Sequence, residues 1–136
     1  MLTQLCLGKM RIQISYSQLL LVVSAVAAPT PRATFELVSL EDPQNWVAGN
    51  SLFPSNIIAG YHADYDAYDS ESWSNYVLEK CKAFAQCTSS ETFSGINSGT
   101  PKIRYWFGYV YRGGATTQAN YERADGVEDS IAYTIV

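Results

Sequence analysis

The sequence is short of histidine, of positive charge and of long apolar runs. It has one histidine, His62, and nine Lys and Arg against thirteen Asp and Glu, which gives a formal net charge of −4. An acidic surface repels phosphate backbones and anionic lipids, so neither nucleic acid nor a membrane surface is expected as a partner. A zinc site needs more nitrogen or sulfur ligands than one histidine supplies. The sequence therefore predicts no metal and no other cofactor.

The main apolar run, at 19–28, is too short to span a bilayer, which takes about twenty apolar residues. Lys9 and Arg11 precede this run, and small residues and prolines follow it. A basic segment, a short apolar segment and small residues in this order are typical of a secretory signal peptide. We expect a signal peptide at 1–27 and a flexible Pro-rich leader at 28–34. The predicted location is extracellular, without membrane attachment after cleavage.

Cysteine is also scarce, because only Cys81 and Cys87 remain once the predicted signal peptide removes Cys6. An even pair in an oxidising compartment favours a disulfide. Residues at this spacing in a helix lie about 9 Å apart along the axis, whereas a disulfide tolerates Cα separations of up to about 7 Å. Either the helix ends near Ala85 or the two cysteines do not pair. We expect the two cysteines to form a disulfide that stabilises the fold by about 2 kcal/mol.

The rest of the chain, 35–136, is predicted to form one α+β domain, with an antiparallel β-sheet of four to five strands packed on a single helix. Its supply of apolar side chains is sufficient for a core, since 47% of the sequence is hydrophobic and 13% aromatic. The strongest alternation lies at 102–112 (KIRYWFGYVYR), which is predicted to be the central strand. Weaker strand patterns lie at 35–40, 46–48, 56–61, 92–96 and 130–136. The pattern at 46–48 also suits a buried loop.

One helix is predicted from Ser72 onward, with Asp69, Ser70 or Ser72 as its N-terminal cap. Its apolar side chains recur at helical spacing, at Trp73, Val77, Cys81 and Phe84. This stripe predicts one buried face that attaches the helix to the sheet.

An acidic, tyrosine-rich stretch precedes the helix at 61–71, and no helix or strand period runs through it. We expect an exposed loop there. Exposed aromatic rings stack on sugar or protein surfaces, whereas Tyr105, Tyr109 and Tyr111 have the spacing of strand residues that pack in a core or across neighbouring strands. The predicted ligand-binding residues are those of the loop, namely Tyr61, His62, Asp64, Tyr65, Asp66 and Tyr68.

Two chemical alternatives concern the same stretch. Its acidic side chains suggest a calcium site, but they lack the glycine at the sixth position of an EF-hand loop, and a solvated acidic loop is the simpler interpretation. His62 and Asp64 suggest an acid/base pair, but no residue pattern marks a nucleophile. We therefore predict no catalytic residue.

The chain has, in this order, a polar stretch before the helix, the helix segment at 76–87 (YVLEKCKAFAQC), the following Phe93 and aromatic strands after it. This order of features resembles that of PAN/apple-like modules, which are common in small fungal secreted proteins. The resemblance implies a sheet that cradles one helix. It also implies binding to protein or carbohydrate, without an active site.

The predicted function is that of a secreted, non-catalytic, effector-like module that binds an extracellular glycan or protein. A small secreted hydrolase that uses Asp or Glu carboxylates with His62 is the alternative. A structural or self-associating wall protein is a third hypothesis, and the sequence leaves the oligomeric state open.

Overall fold

The computed structural model describes residues 33–136, so the predicted signal peptide and nearly all of the predicted leader lie outside the described residues. Within them, the helix α1 spans Ser70–Ala83. The strands are β1 (Phe35–Leu37), β2 (Trp46–Ala48), β3 (Ile57–Asp64), β4 (Ser89–Ile96), β5 (Arg104–Tyr111), β6 (Tyr121–Arg123) and β7 (Glu128–Ile135). No helix in this part of the chain is long and apolar enough to cross a membrane.

Five strands form one antiparallel sheet in the order β1-β7-β4-β5-β3, and α1 packs on one of its faces. The prediction of an α+β fold with four to five strands on a single helix is confirmed. The remaining strands, β2 and β6, pair with each other in a separate two-stranded sheet.

The prediction that 102–112 forms the central strand is wrong, although the segment does form a strand. The middle strand is β4, which pairs with β5 on one side and with β7 on the other. It is rich in buried polar side chains, at Ser89, Ser90, Glu91, Thr92 and Ser94. A buried strand of small polar residues gives no alternation of apolar and polar positions, so the sequence pattern understates it.

The helix begins where the sequence predicts a cap. The Asp69 carboxylate accepts a hydrogen bond from the Ser72 backbone N–H at 2.7 Å, and the Ser72 hydroxyl accepts one from the Asp69 N–H at 3.1 Å. This reciprocal capping box satisfies two backbone donors that the helix leaves free. The helix ends at Ala83 because Phe84 has an extended backbone. Phe84 is 39% exposed, so its predicted place in the buried face is wrong.

The helix lies close to the sheet because Gly108 on β5 has no side chain. A Cβ atom at this position would stand 2.6 Å from Cγ2 of Val77. The close approach lets the Trp73 indole donate a hydrogen bond to the Phe107 carbonyl at 3.0 Å. The helix-side core consists of Trp73, Val77, Cys81, Cys87, Trp106 and Val110.

The two cysteines form a disulfide with a Cα–Cα distance of 5.3 Å. The chain reverses after α1 through the Phe84 N–H, which donates to the Cys81 carbonyl, and the Cys87 N–H, which donates to the Phe84 carbonyl. The helix thus ends before Cys87, so the two cysteines are not separated by six residues of helix, as the spacing argument required.

The small sheet covers only one end of the opposite face of the large sheet. Its side chains pack there in a second core made of Val38, Trp46, Leu52, Tyr111, Tyr121 and Ala132. The Ser130 hydroxyl ties β2 to β7, because it accepts from the Trp46 N–H and donates to the Trp46 carbonyl, both at 2.8 Å. The guanidinium of Arg123 lies 4.1 Å from the centre of the Trp46 ring.

We expect removal of the disulfide to lower the free energy of unfolding by about 2 kcal/mol, because the unfolded chain regains the entropy of the short closed loop. The change is Cys81→Ser with Cys87→Ser, and the measurement is urea unfolding. Wild-type protein unfolded with a reducing agent is the control and should lose a similar amount. Equal stability of the oxidised and reduced proteins would contradict this expectation.

Candidate binding face

The predicted binding residues do not form one loop, because β3 extends to Asp64. His62 pairs with Phe107 and Asp64 with Tyr105 across the β3–β5 ladder. Successive residues of a strand point to opposite faces of the sheet. Tyr61 therefore lies on the helix side, whereas His62 and Asp64 lie on the opposite side.

The helix-side tyrosines belong to an aromatic cluster at the start of α1. The ring of Tyr61 meets that of Tyr76 edge-on at 6.3 Å, and the ring of Tyr68 lies 5.0 Å from that of Trp73. Both tyrosines are partly buried and pack against the helix-side core. Their arrangement gives them a packing role, and they do not share a surface with His62.

The remaining predicted residues, Tyr65 and Asp66, lie in a 3-10 turn at Tyr65–Ala67. The turn is held by the Trp106 indole, which donates to the carbonyls of Tyr65 and Tyr68 at 2.9 and 3.1 Å. An open groove of about 690 Å³ runs beside it, lined by Asp64, Tyr65, Asp66, Ala67, Ile103, Arg104 and Tyr105. Asp64, Tyr65 and Asp66 thus share one groove, at the end of the sheet where β5 begins.

A β-bulge in β7 places a carboxylate near this groove. The register of β4 against β7 shifts between Thr92 and Ser94, and Asp129 at the shift has a φ of 62°. This left-handed conformation is uncommon outside glycine and often marks a functional site. It allows the Asp129 carboxylate to accept a hydrogen bond from the buried Ser94 hydroxyl at 2.8 Å.

The side chains around the bulge form one connected cluster of polar contacts. The Arg104 guanidinium donates to the Ser94 hydroxyl at 3.0 Å and forms an ion pair with Glu128 at 3.3 Å. The Tyr65 hydroxyl donates to Asp129 at 3.4 Å, and the nearby negative charge of Asp129 raises the pKa of Tyr65 above its ordinary value. The cluster holds the turn, β4, β5 and β7 together at the groove.

A row of aromatic rings lies on the sheet face opposite the helix, beside the second core, against which Tyr109 packs. The rings of Phe107 and Phe93 are 5.8 Å apart, those of Phe93 and Tyr109 6.3 Å, and those of Tyr109 and Phe53 5.8 Å. Phe53 is 44% exposed. We call Phe53, Phe93, Phe107 and Tyr109 the aromatic row.

The aromatic row as a surface was missed by the sequence-based prediction, although the assignment of Tyr109 to core or cross-strand packing is confirmed, because Tyr109 packs against the second core and on Phe93 of the neighbouring strand. Its signal was present, because the alternation at 102–112 places Phe107 and Tyr109 on one face. A single helix covers only one face of a sheet, so an aromatic second face needs another cover or faces solvent. Phe93 and Phe107 belong to neither core cluster.

The Tyr109 ring lies over Gly60 of the edge strand. A Cβ atom at Gly60 would approach Cε1 of Tyr109 to 3.0 Å, so glycine provides the room for the ring to lie flat on the sheet. His62 and Asp64 follow Gly60 on the same side of β3 and are exposed. The aromatic row is therefore flanked by an imidazole and a carboxylate along one side.

Glu91 is a fully buried carboxyl group between the row and the second core. Its Oε1 accepts a hydrogen bond from the Tyr111 hydroxyl at 3.4 Å, and its Oε2 has no partner. Burial raises the pKa of Glu91 to about 8, against weaker opposing effects of the Tyr111 hydroxyl and the Ala48 N–H. Glu91 is therefore mostly neutral at pH 7.

The described residues show neither a metal cluster nor a charge partner for His62. Between residues 33 and 136, no three His, Cys, Asp or Glu side chains are grouped to hold a metal ion. The two ion pairs in this part of the chain are Lys82–Glu79 and Arg104–Glu128.

Comparison with known protein families, curated proteins and solved structures finds no match for this chain. The resemblance to PAN/apple-like modules therefore stays a prediction, and the geometry of the described residues carries the functional argument.

We expect the Asp129→Gly variant to be about 1 kcal/mol more stable than the Asp129→Ala variant, because only alanine suffers the steric conflict of a left-handed backbone. Both variants lose the carboxylate, so their difference isolates the backbone effect. Thermal and urea unfolding measure it. Equal stability of the two variants would show that the bulge relaxes.

We expect the free energy of unfolding to fall as the pH rises from about 4.5 to about 8, with a slope of up to about 1.4 kcal/mol per pH unit from Glu91. The folded protein keeps this carboxyl protonated, whereas the unfolded chain releases the proton above its ordinary pKa of 4.5. The stabilisation is thus complete below pH 4.5 and is lost by about pH 8. Urea unfolding across this range should show a clearly smaller slope for Glu91→Gln, and an unchanged slope would contradict the assignment.

Proposed function

We propose that this protein is a secreted, non-catalytic module that binds an extracellular glycan through the aromatic row. The observation that carries the proposal is the row itself, because four neighbouring rings with centroid steps of 5.8–6.3 Å lie on a sheet face that the helix does not cover, with interplanar angles of 30° and 29° at Phe93 and with Phe53 edge-on to Tyr109 at 75°.

A pyranose ring has a face of C–H groups and an edge of hydroxyl groups. The face suits an aromatic ring, which offers a large apolar surface with little conformational freedom to lose. The hydroxyl edge needs hydrogen-bonding partners. His62 and Asp64 lie along β3 beside the row and have the required donor and acceptor groups.

The groove beside the 3-10 turn extends this surface. Tyr105 and Asp64 pair across β5 and β3, and both residues line the groove. A glycan chain that lies on Phe107 therefore continues toward the groove without crossing the helix-side core. The predicted binding residues His62, Asp64, Tyr65 and Asp66 keep a place in this proposal, whereas Tyr61 and Tyr68 support the fold.

Secretion is part of the proposal and is supported by the predicted signal peptide and by the disulfide, since structural disulfides persist in oxidising compartments. We propose no catalysis, because the alternative hydrolase needs an acid/base side chain that its surroundings hold in position, whereas His62 is exposed on β3 and belongs to no ion pair of the described residues.

The test is binding of the purified protein to soluble cello-, chito- and laminari-oligosaccharides, measured by isothermal titration calorimetry. We expect Phe53→Ala to weaken binding of the recognised oligosaccharide by up to about tenfold, because a stacked ring contributes about 0.5–1.5 kcal/mol.

The matched control is Phe84→Ala. Phe84 is 39% exposed and Phe53 is 44% exposed, but Phe84 follows α1 on the other side of the sheet. The control should bind like the wild-type protein. Equal effects of the two variants, or binding to none of the oligosaccharides and to none of a wider glycan array, would rule out the aromatic row as a glycan site.

A further inference from the structure

Strand β3 is a free edge of the five-stranded sheet, because it pairs only with β5. It has eight residues, whereas β1 at the other edge has three. A free edge presents unpaired backbone N–H and C=O groups, and natural proteins commonly protect it with Pro or Lys. Strand β3 (IIAGYHAD) contains neither.

We propose that β3 pairs with β3 of a second copy of this chain, antiparallel and in a register centred on His62. The inference goes beyond glycan binding and does not depend on it.

Symmetry restricts the register of such a pair. Two identical antiparallel strands in one sheet are related by a two-fold axis perpendicular to the sheet. This axis keeps each face on its own side, and residues directly opposite each other share a face. The axis must therefore pass midway between the two copies of one residue, which then face each other. A centre between two successive residues of the strand is excluded.

The regular part of β3 limits the choice further. Its pairing with β5 is continuous over 59–64, because a register shift separates Ile57 from Ala59. Two registers pair five residues of this part with five residues of the second copy, and they are centred on Tyr61 and on His62. A centre on Tyr61 sets two large rings opposite each other, although each ring already packs on Tyr76 of its own helix.

The centre on His62 suits the neighbouring side chains better. It sets Gly60 opposite Asp64 and Tyr61 opposite Ala63, and the two imidazoles that face each other across the axis are exposed and not packed on their own helix. It also places His62 of each copy diagonally across from Asp64 of the other copy, within reach of a side-chain contact. The imidazole and the carboxylate are exposed on the same side of β3 and have no ion-pair partner among the described residues. This complementarity favours a second copy over an unrelated strand.

The pair would form a continuous sheet of ten strands, twice the five of one copy. Because the axis is perpendicular to the sheet, both helices would lie on one side and both aromatic rows on the other. A long polymer could then contact two rows at once, which raises its apparent affinity without any new contact.

The first experiment is disulfide cross-linking of the purified protein under mild oxidation, read on a non-reducing gel. His62→Cys should give a covalent dimer, because only position 62 faces itself across the axis. Tyr61→Cys and Asp64→Cys, which lie one and two positions away on the strand, should give much less. Stronger cross-linking through either of these variants would overturn the register.

The second experiment is sedimentation equilibrium without any glycan. The wild-type protein should show a monomer–dimer equilibrium, and His62→Glu should weaken the dimer by about tenfold, because two carboxylates then face each other and each also lies diagonally across from an Asp64 carboxylate. Asn75→Glu, an equal change of charge on an exposed position of α1, should leave the equilibrium unchanged. A wild-type protein that stays monomeric at all concentrations would overturn the proposal, whatever the glycan measurements show.

Discussion

The close contact between α1 and β5 at Gly108 is the constraint on which the two faces of the sheet depend. Only a residue without a side chain leaves room for Val77, and the indole of Trp73 then reaches the backbone of β5. The same strand turns Phe107 and Tyr109 to the other face, because side chains alternate along a strand. Burial of one face by a single helix therefore leaves aromatic rings on the second face, which the small sheet covers only in part.

The sequence was sufficient to predict the helix and the disulfide because both depend on local rules. The cap at Asp69 and the length limit on a helix that contains Cys81 are set by residues close in the chain. The order of strands is a non-local property, and it was predicted less well. Strand β4 occupies the centre with buried serines and Glu91, whose interactions come from β5, β7 and the small sheet and leave no periodic pattern in the sequence.

The candidate site was predicted in part for the same reason. The acidic stretch has no period of its own, but the ladder to β5 makes His62 and Asp64 part of a strand. That ladder separates them from Tyr61 and brings them beside Phe107 and Tyr105. Composition therefore singled out the stretch that contains these residues, whereas the partner strand decides which of them share a face. The bulge at Asp129 had no signal in the sequence, because its left-handed backbone depends on the register of β4 against β7.

Strand β4 links the core to the aromatic row, and Glu91 is where the two meet. It pairs with Tyr109 on one side and with Ala132 of the second core on the other. A charged carboxylate at this place would lie in an apolar environment with one oxygen unsatisfied, and it would also face the base of the row. The neutral form removes most of this cost, which is why burial raises the pKa of Glu91. The strands that carry the row are therefore most stable in acidic to neutral solution, where the Glu91 carboxyl beside Tyr109 carries little charge.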